Sequence, residues 1–584
     1  MSSKTNYDKF PVTRISYPEP CAWSGWENVI ARLHSAIAPF GDQCVLVVDC
    51  YPGILDGEVF AALKNGLHPD LAIHTEDLMK PAHEIEVMTQ PFIGDDPVFG
   101  RMTSLCLEDY FDPQKFHDQR RLISQTTGRI LVFGPGAALL VMHPSILVYA
   151  DLARWEIQNR FRRNTISNLG LQNQTAPWPA QYKRGYFNDW RICDRHKIQI
   201  FDSIDFFLDT NTPDEPKLLS GDAMRTGLRQ MTARPFRVVP FFDPAPWGGQ
   251  WMKSRFGLDS GKVNYGWGFD CVPEENSLLL RFGNITTEIP AINLVLRHPR
   301  EILGEAVHGR FGAEFPIRFD LLDTIGGGNL SFQVHPLTEY IHQHFGMCYT
   351  QDESYYILDA LPDATVYLGL KDDVAPKEMA DALAHARRGT QAFDVEKFVN
   401  RWPSRKHDHF LIPAGTCHCS GAGCLVLEIS ATPYIFTFKL WDWGRNGLDD
   451  LPRPVHLDHG LANLQWDRTR DWTQHNLINQ HTALDDGPGW REERTGLHEM
   501  EFIETRRHWF ISSVSHHTDG GVNVLNLVEG DAILVESPTN AFDPLVIHYA
   551  ETFIIPAAVG PYTIRPLTPG GDKQYATIKA FVRT

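Results

Sequence analysis

The sequence predicts a multidomain protein. An N-terminal α/β domain with a mostly parallel sheet is followed by all-β barrels with a smaller helical or irregular segment. Three observations carry this. The chain has 584 residues, several times the ~100–200 of one ordinary domain. Before about residue 236, β-branched apolar runs alternate with stretches of helical spacing. After it, short strands are separated by Gly, Pro, Asp and Asn, the pattern of antiparallel barrels.

In the first region, Gln43-Cys-Val-Leu-Val-Val-Asp49 reads as a buried strand ending at Tyr51-Pro52-Gly53. Arg129-Ile-Leu-Val-Phe-Gly134 is a second, ending in Gly-Pro-Gly. Residues 151–166 give the clearest helix: Leu152, Trp155, Ile157, Phe161 and Ile166 form its apolar side. Arg154, Arg160, Arg162 and Arg163 form its polar complement. Strands alternating with helices predict a parallel sheet. Domains are expected at 1–235, 236–448 and 498–584, with a connecting segment at 449–497. Phe410-Leu-Ile-Pro-Ala-Gly-Thr-Cys-His418 lies against Phe553-Ile-Ile-Pro-Ala-Ala-Val-Gly-Pro561 as an internal repeat. Two related barrels follow, with Pro561 in the second where the first has His418.

The net charge of −18 argues against a nucleic-acid or anionic-membrane binder, which needs a basic face. It leaves a phosphorylated small molecule open, since one or two placed cations suffice. The most apolar stretch, 130–150, is broken by Gly134, Pro135, Gly136, His143 and Pro144. It falls short of the ~20 apolar residues of a membrane helix. The N-terminus is polar and lacks an apolar signal core. Ten Cys occur with no C-x-x-C pair. Reduced thiols and a cytoplasmic location are expected.

The chemistry concentrates in the first barrel region. In a strand, residues i and i+2 share a face, so Gln333 and His335 project together and Pro336 ends the strand. Glu353 starts the next strand, Tyr355 to Asp359. His418 follows the turn Pro413-Ala-Gly415. Its neighbours Cys417 and Cys419 face the other way and are expected to pack. One amide oxygen, two imidazoles and a carboxylate suit Zn²⁺, and also Mn²⁺, Fe²⁺ or Co²⁺. An open coordination position points to catalysis.

Several motifs occur in order: Pro246-Trp-Gly-Gly249, Phe315-Pro316, Leu321-Leu-Asp323, Leu330-Ser-Phe-Gln-Val-His-Pro336, Glu353-x-x-Tyr356-Ile-Leu-Asp359, Ile412-Pro-Ala-Gly-Thr-Cys-His418 and Trp441-Asp-Trp-Gly-Arg445. Over residues ~236–584 the chain thereby resembles the type I mannose-6-phosphate isomerases, zinc-dependent cupins. The resemblance implies that Gln333, His335, Glu353 and His418 hold the zinc. It also implies that Arg445 lies beside the reacting carbons and Ser331 near the substrate phosphate. The implied reaction interconverts mannose 6-phosphate and fructose 6-phosphate through a cis-enediol. A metal and a fixed cation stabilise the developing charge, and a base moves the proton.

Three positions depart from the family pattern. Gln351 replaces a lysine two residues before the glutamate, Asp320 replaces a lysine, and Lys439 replaces an arginine. Gln351 cannot act as a base, which leaves Lys439, Asp442 and His344 as candidates. The alternatives are a non-catalytic sugar-phosphate sensor, or a bifunctional protein with an N-terminal nucleotide- or sugar-binding domain. In the N-terminal region, Val45–Phe60 occupies a strand–loop–helix position but lacks G-x-x-x-x-G-K-[ST]. Arg160, Arg162 and Arg163, with Tyr182-Lys-Arg184 and Asp189-Trp-Arg191, resemble the basic helix and lid of uridine-kinase-like P-loop proteins. This implies a degenerate kinase-like domain that holds a nucleotide or other anion, or a scaffold.

Overall fold

The computed structural model describes residues 6–41, 43–431, 434–496, 498–568 and 573–584. Residues 1–5 of the polar N-terminal stretch, and the expected boundary residue 497, lie outside the described residues. The chain forms two units. One comprises Val12–Gln230 and Ser277–His298, the other Met1–Pro11, Met231–Asn276 and Pro299–Thr584. The α/β unit thus reclaims Ser277–His298 after the chain has left it. Continuous boundaries drawn from composition do not show this return, because the hairpin is as strand-rich as the barrels around it. Among the described residues, no helix is long and apolar enough to cross a membrane.

The α/β unit is built on a seven-stranded sheet. Its spatial order is Ala22–Ser24, Lys217–Ser220, Phe206–Asp209, Ile146–Asp151, Cys44–Cys50, Arg129–Gly134 and Leu71–His74. The last five are mutually parallel, and the first two join through antiparallel ladders at one edge. Parallel strands are covered on both faces, which explains the near-continuous burial of Cys44–Cys50 and Ile146–Asp151.

The predicted helix at 151–166 is shorter, Arg154–Arg162, and two arginines of its polar side do not face solvent. Arg154 and Arg160 are buried. Arg154 Nη2 lies 2.5 Å from Asp194 Oδ2. Arg160 Nε lies 3.0 Å from Glu156 Oε1, and its other nitrogens donate to the carbonyls of Gly53 (2.9 Å) and Thr210 (2.6 Å). A buried guanidinium needs a partner for its charge and acceptors for its N–H groups. These two have both, so they are struts between helix and loops rather than a free anion-binding face.

The second unit contains two β-sandwich barrels. The first pairs a six-stranded sheet with a five-stranded one. The six run His409–Ile412, Glu353–Ala360, Cys424–Ser430, Arg318–Asp323, Trp267–Cys271 and Phe241–Asp243. The five run Val399–Pro403, Thr365–Leu370, His418–Ser420, Phe332–Val334 and Phe438–Trp441. The second barrel repeats this order. Thr552–Ile555, Asn523–Glu529, Tyr575–Val582 and Ile503–Phe510 head its six-stranded sheet. Leu545–His548, Ala532–Glu536, Pro561–Pro566 and Val514–His517 form the other.

The ladders align the two copies. Glu353 pairs with Ile412, and Asn523 with Ile555, so Asn523 stands where the first barrel has Glu353. Gln333 pairs with His418, and the matching inward pair in the second barrel is His516 with Tyr562. The linear alignment had put Pro561 at the His418 position. Pro561 and its partner His517 are exposed, whereas Tyr562 is buried. The strands therefore register one residue further on, and Tyr562 takes the place. Tyr562 donates from its hydroxyl to Asn523 Oδ1 at 2.9 Å. Most of this barrel's interior is apolar, with Leu525, Leu527, Ile533, Val535, Ile547, Phe553 and Ile564 meeting between the sheets.

Candidate metal centre

Three strand segments of the first barrel bring His335, Glu353 and His418 together, with ligand atoms all within 4.8 Å of one another. All three side chains are fully buried. Glu353 Oε1 lies 3.1 Å from His335 Nε2 and 2.8 Å from His418 Nε2. The Gln333 amide lies 3.2 Å from His418 Nε2. The four residues singled out from the sequence therefore converge.

Hydrogen bonds fix how the imidazoles are presented. His335 Nδ1 is 2.7 Å from the Phe436 carbonyl, and His418 Nδ1 is 2.9 Å from the Thr416 carbonyl. A carbonyl only accepts, so each Nδ1 carries the proton and each Nε2 offers a lone pair. Both lone pairs meet a carboxylate oxygen that also only accepts. His335 Nε2 and Glu353 Oε1 are buried without a hydrogen-bond partner. Such a cluster of acceptors calls for a cation at its centre, and the donor set fits a divalent transition metal. Burial disfavours the charged form of His335, but the Glu353 carboxylate overrides it and raises the pKa. Burial lowers that of His418. Glu353 stays well below its ordinary value because the two imidazoles outweigh its own burial.

The turn before His418 is locked to the other ligand segments. Gly415 N donates to His335 O at 3.0 Å, and Ala414 N donates to Asp352 Oδ1 at 2.8 Å. Arg468 donates to the Pro413 and Ala414 carbonyls at 2.8 and 2.7 Å, and to the Thr416 hydroxyl. Gly415 sits at φ +87°, where a Cβ would stand 2.7 Å from Gln465 Cγ. Glycine is needed there on both counts. Cys417 and Cys419 are buried, and burial raises both thiols.

Gln351 is committed to structure. Its amide nitrogen donates to Glu353 Oε2 (3.1 Å) and Glu428 Oε1 (3.4 Å), and its oxygen accepts from Phe436 N (2.6 Å). Behind it, Asp320 is ion-paired with Arg318. Burial lifts the Asp320 carboxyl to about 7. Glu428 is raised well above its ordinary value by burial, Glu353 and Asp320. The barrel floor thus holds more carboxyls than cations.

Lys439 pairs with Gln333 in the ladder, and Gln333 pairs with His418. Cross-strand partners share a face, so Lys439 belongs to the same inward row as two of the four candidate ligands. Burial, together with the cations Arg453 and Arg445, lowers its pKa to about 7, against the opposing pull of Asp442. Asp442 anchors a compact cluster. It accepts from Arg445 Nη2 at 2.7 Å, Arg453 Nη1 at 2.6 Å and Ser331 Oγ at 2.9 Å. Arg453 also reaches Ser331 Oγ at 3.0 Å. His344 stands apart, exposed on the helix Thr338–Phe345 and stacked on Tyr340. Sequence reasoning missed Arg453, Arg468 and Asp352. Only Asp352, adjacent to Glu353, carried a local signal.

A family model described as a domain of unknown function, DUF8485, matches residues 25–233. The chain is 27% identical over 237 residues to mannose-6-phosphate isomerase ManA of Bacillus subtilis strain 168, covering 40% of this chain and 69% of that protein. It is 25% identical over 217 residues to the mannose-6-phosphate isomerase of Streptococcus mutans, covering 37% and 63%. Among solved structures, the mannose 6-phosphate isomerase of Bacillus subtilis aligns with TM-score 0.48 and 18% identity over 59% of this chain and 99% of that one. A phosphomannose isomerase of Salmonella typhimurium, solved as a point mutant, aligns with TM-score 0.46 and 13% identity over 60% and 100%. The curated relatives of this chain are thus mannose-6-phosphate isomerases, which supports a sugar-isomerase role.

Proposed function

We propose that this protein is a metal-dependent aldose–ketose isomerase that interconverts mannose 6-phosphate and fructose 6-phosphate, with zinc held by Gln333, His335, Glu353 and His418. The observation that carries the reading is the convergence of two imidazole lone pairs on an unpartnered Glu353 oxygen, at 2.8 and 3.1 Å. When bound, a divalent ion supplies Lewis acidity to the sugar's adjacent oxygens.

The chain's own residues supply the rest. Arg445 and Arg453 place two fixed cations beside Ser331. Arg445 is assigned to the negative charge that develops on the sugar oxygens, and Ser331 with Arg453 to the phosphate. Asp442 is spent on holding both guanidinium groups, so it orients rather than takes a proton. Lys439 Nζ, with a pKa near neutrality, is assigned the proton transfer between C1 and C2 that Gln351 cannot perform.

A second reading has one observation in its favour. Gln351 is locked in three hydrogen bonds at the position of the family's lysine, which fits a sugar-phosphate sensor without turnover. Conversion of mannose 6-phosphate, followed before and after chelation and zinc return, decides between them. Turnover restored by zinc supports the enzyme. Bound metal and bound hexose phosphate without turnover leave the sensor.

A further inference from the structure

A cavity of about 690 Å³ opens in the α/β unit. It lies where the parallel strands end. Tyr51–Glu58 follows the strand Cys44–Cys50, Glu76 follows Leu71–His74, and Pro135 follows Arg129–Gly134. Open parallel sheets bind ligands at this end, and ligand cavities commonly hold roughly 300–1,000 Å³.

The acidic wall disfavours the expected nucleotide or other anion. Its described lining residues include Asp56, Glu58 and Glu76 but no lysine or arginine. The first turn of the helix Asp56–Leu67, where a phosphate loop would place its lysine, carries Asp56 and Glu58. Of the helix arginines that suggested an anion, Arg160 is held by Glu156 at 3.0 Å, and Arg163 reaches the same carboxylate at 2.5 Å. What remains is a mixed set of carboxylates, the amides of Gln172 and Gln174, and hydroxyls.

Buried networks hold this wall from behind. Tyr51 donates to Asp194 Oδ1 at 3.0 Å and accepts from Arg154 Nη2 at 3.2 Å. Lys197 Nζ lies 4.1 Å from its ring and is itself held by Asp151 and Asn293. Asn168 donates to Gln181 O and Asp189 Oδ2, both at 3.0 Å, and accepts from Asn173 Nδ2 at 3.0 Å. Side chains fixed in this way form a preorganised site rather than a gap between loops.

We propose that this cavity binds an unphosphorylated monosaccharide. Vicinal hydroxyls both donate and accept, which matches a wall of carboxylates and amides. A phosphate would meet the carboxylates of Glu58 and Glu76 with no lysine or arginine among the described lining residues to offset them. Burial and neighbouring Glu76 raise the Asp56 carboxyl above the ordinary range, so it donates as well as accepts.

The test uses the full chain and three probes, D-mannose, D-fructose and D-glucose, by titration calorimetry and saturation-transfer NMR. At least one probe is expected to bind with millimolar affinity or tighter. Binding should weaken about tenfold or more in a variant combining Asp56→Ala and Glu76→Ala. It should vanish in Thr165→Trp, which fills the cavity from an exposed position. It should persist in His418→Ala, which separates this cavity from the barrel site. Three results overturn the proposal: no binding of any probe, wild-type affinity in the combined variant, or ATP binding that Thr165→Trp abolishes.

Discussion

Lys439 gives the sharpest prediction. An ordinary lysine titrates at 10.5, and burial with Arg453 and Arg445 brings this one to about 7. At pH 7 the neutral amine fraction rises from about 0.03% to about one half, a gain of roughly a thousandfold in the form that takes a proton. The pH profile of kcat for mannose 6-phosphate conversion should therefore climb through a limb near 7. Lys439→Gln should lose about 10²–10⁴-fold in kcat and lose that limb, while keeping its metal. Lys439→Arg, which cannot deprotonate, should behave the same way. The neighbours set the sign of two further shifts. Arg453 lowers the lysine pKa, so Arg453→Met should move the limb to higher pH. Asp442 raises it, so Asp442→Asn should move the limb to lower pH. A limb near 7 that survives in Lys439→Gln, with metal bound, would refute the assignment.

The remaining predictions concern the scaffold. Asp352→Ala removes the acceptor for Ala414 N and should weaken metal affinity about 10–100-fold, read by competition with a chelating dye. Gly415→Ala forces a Cβ into Gln465 at positive φ and should cost about 1–3 kcal/mol, measured by denaturant titration. Leu527→Ala empties part of the second barrel's core. It should cost about 2–5 kcal/mol and leave metal content unchanged. Glu529 is held at about 2 by its hydrogen bond to His407, against its burial, with help from Lys406. A depressed carboxylate contributes stability above its unfolded pKa and loses it as pH falls through the folded value. Glu529→Gln should therefore flatten the stability–pH curve between about 4.5 and 2.

The candidate site was legible in the sequence because its logic is local. Gln333 and His335 share a strand face by the two-residue period, and Gly415 marks the tight turn that delivers His418. Arg453 was not legible. It reaches Ser331 from a stretch with no regular pattern, and only tertiary folding brings the two within 3.0 Å. Lys439 was named as one of three candidates. Its place beside Gln333 is a property of strand pairing, which composition cannot supply. The arginines of the α/β helix show the opposite error. Helical spacing assigned Arg154 and Arg160 to a polar face, but loops pack on that face too, and Asp194 and Glu156 neutralise what is buried there. In the second barrel, the repeat was visible in letters, yet its register was off by one. The Tyr562–Asn523 hydrogen bond, not the linear match to Pro561, marks the equivalent position.

The central claim is that the four converging side chains hold a metal on which sugar isomerisation depends. Elemental analysis of the purified protein, coupled to mannose 6-phosphate conversion before chelation, after chelation and after zinc return, tests it most directly. The account predicts one divalent ion per chain, activity lost with the ion and regained with zinc, and neither ion nor activity in His418→Ala. Full turnover by a metal-free protein would contradict it.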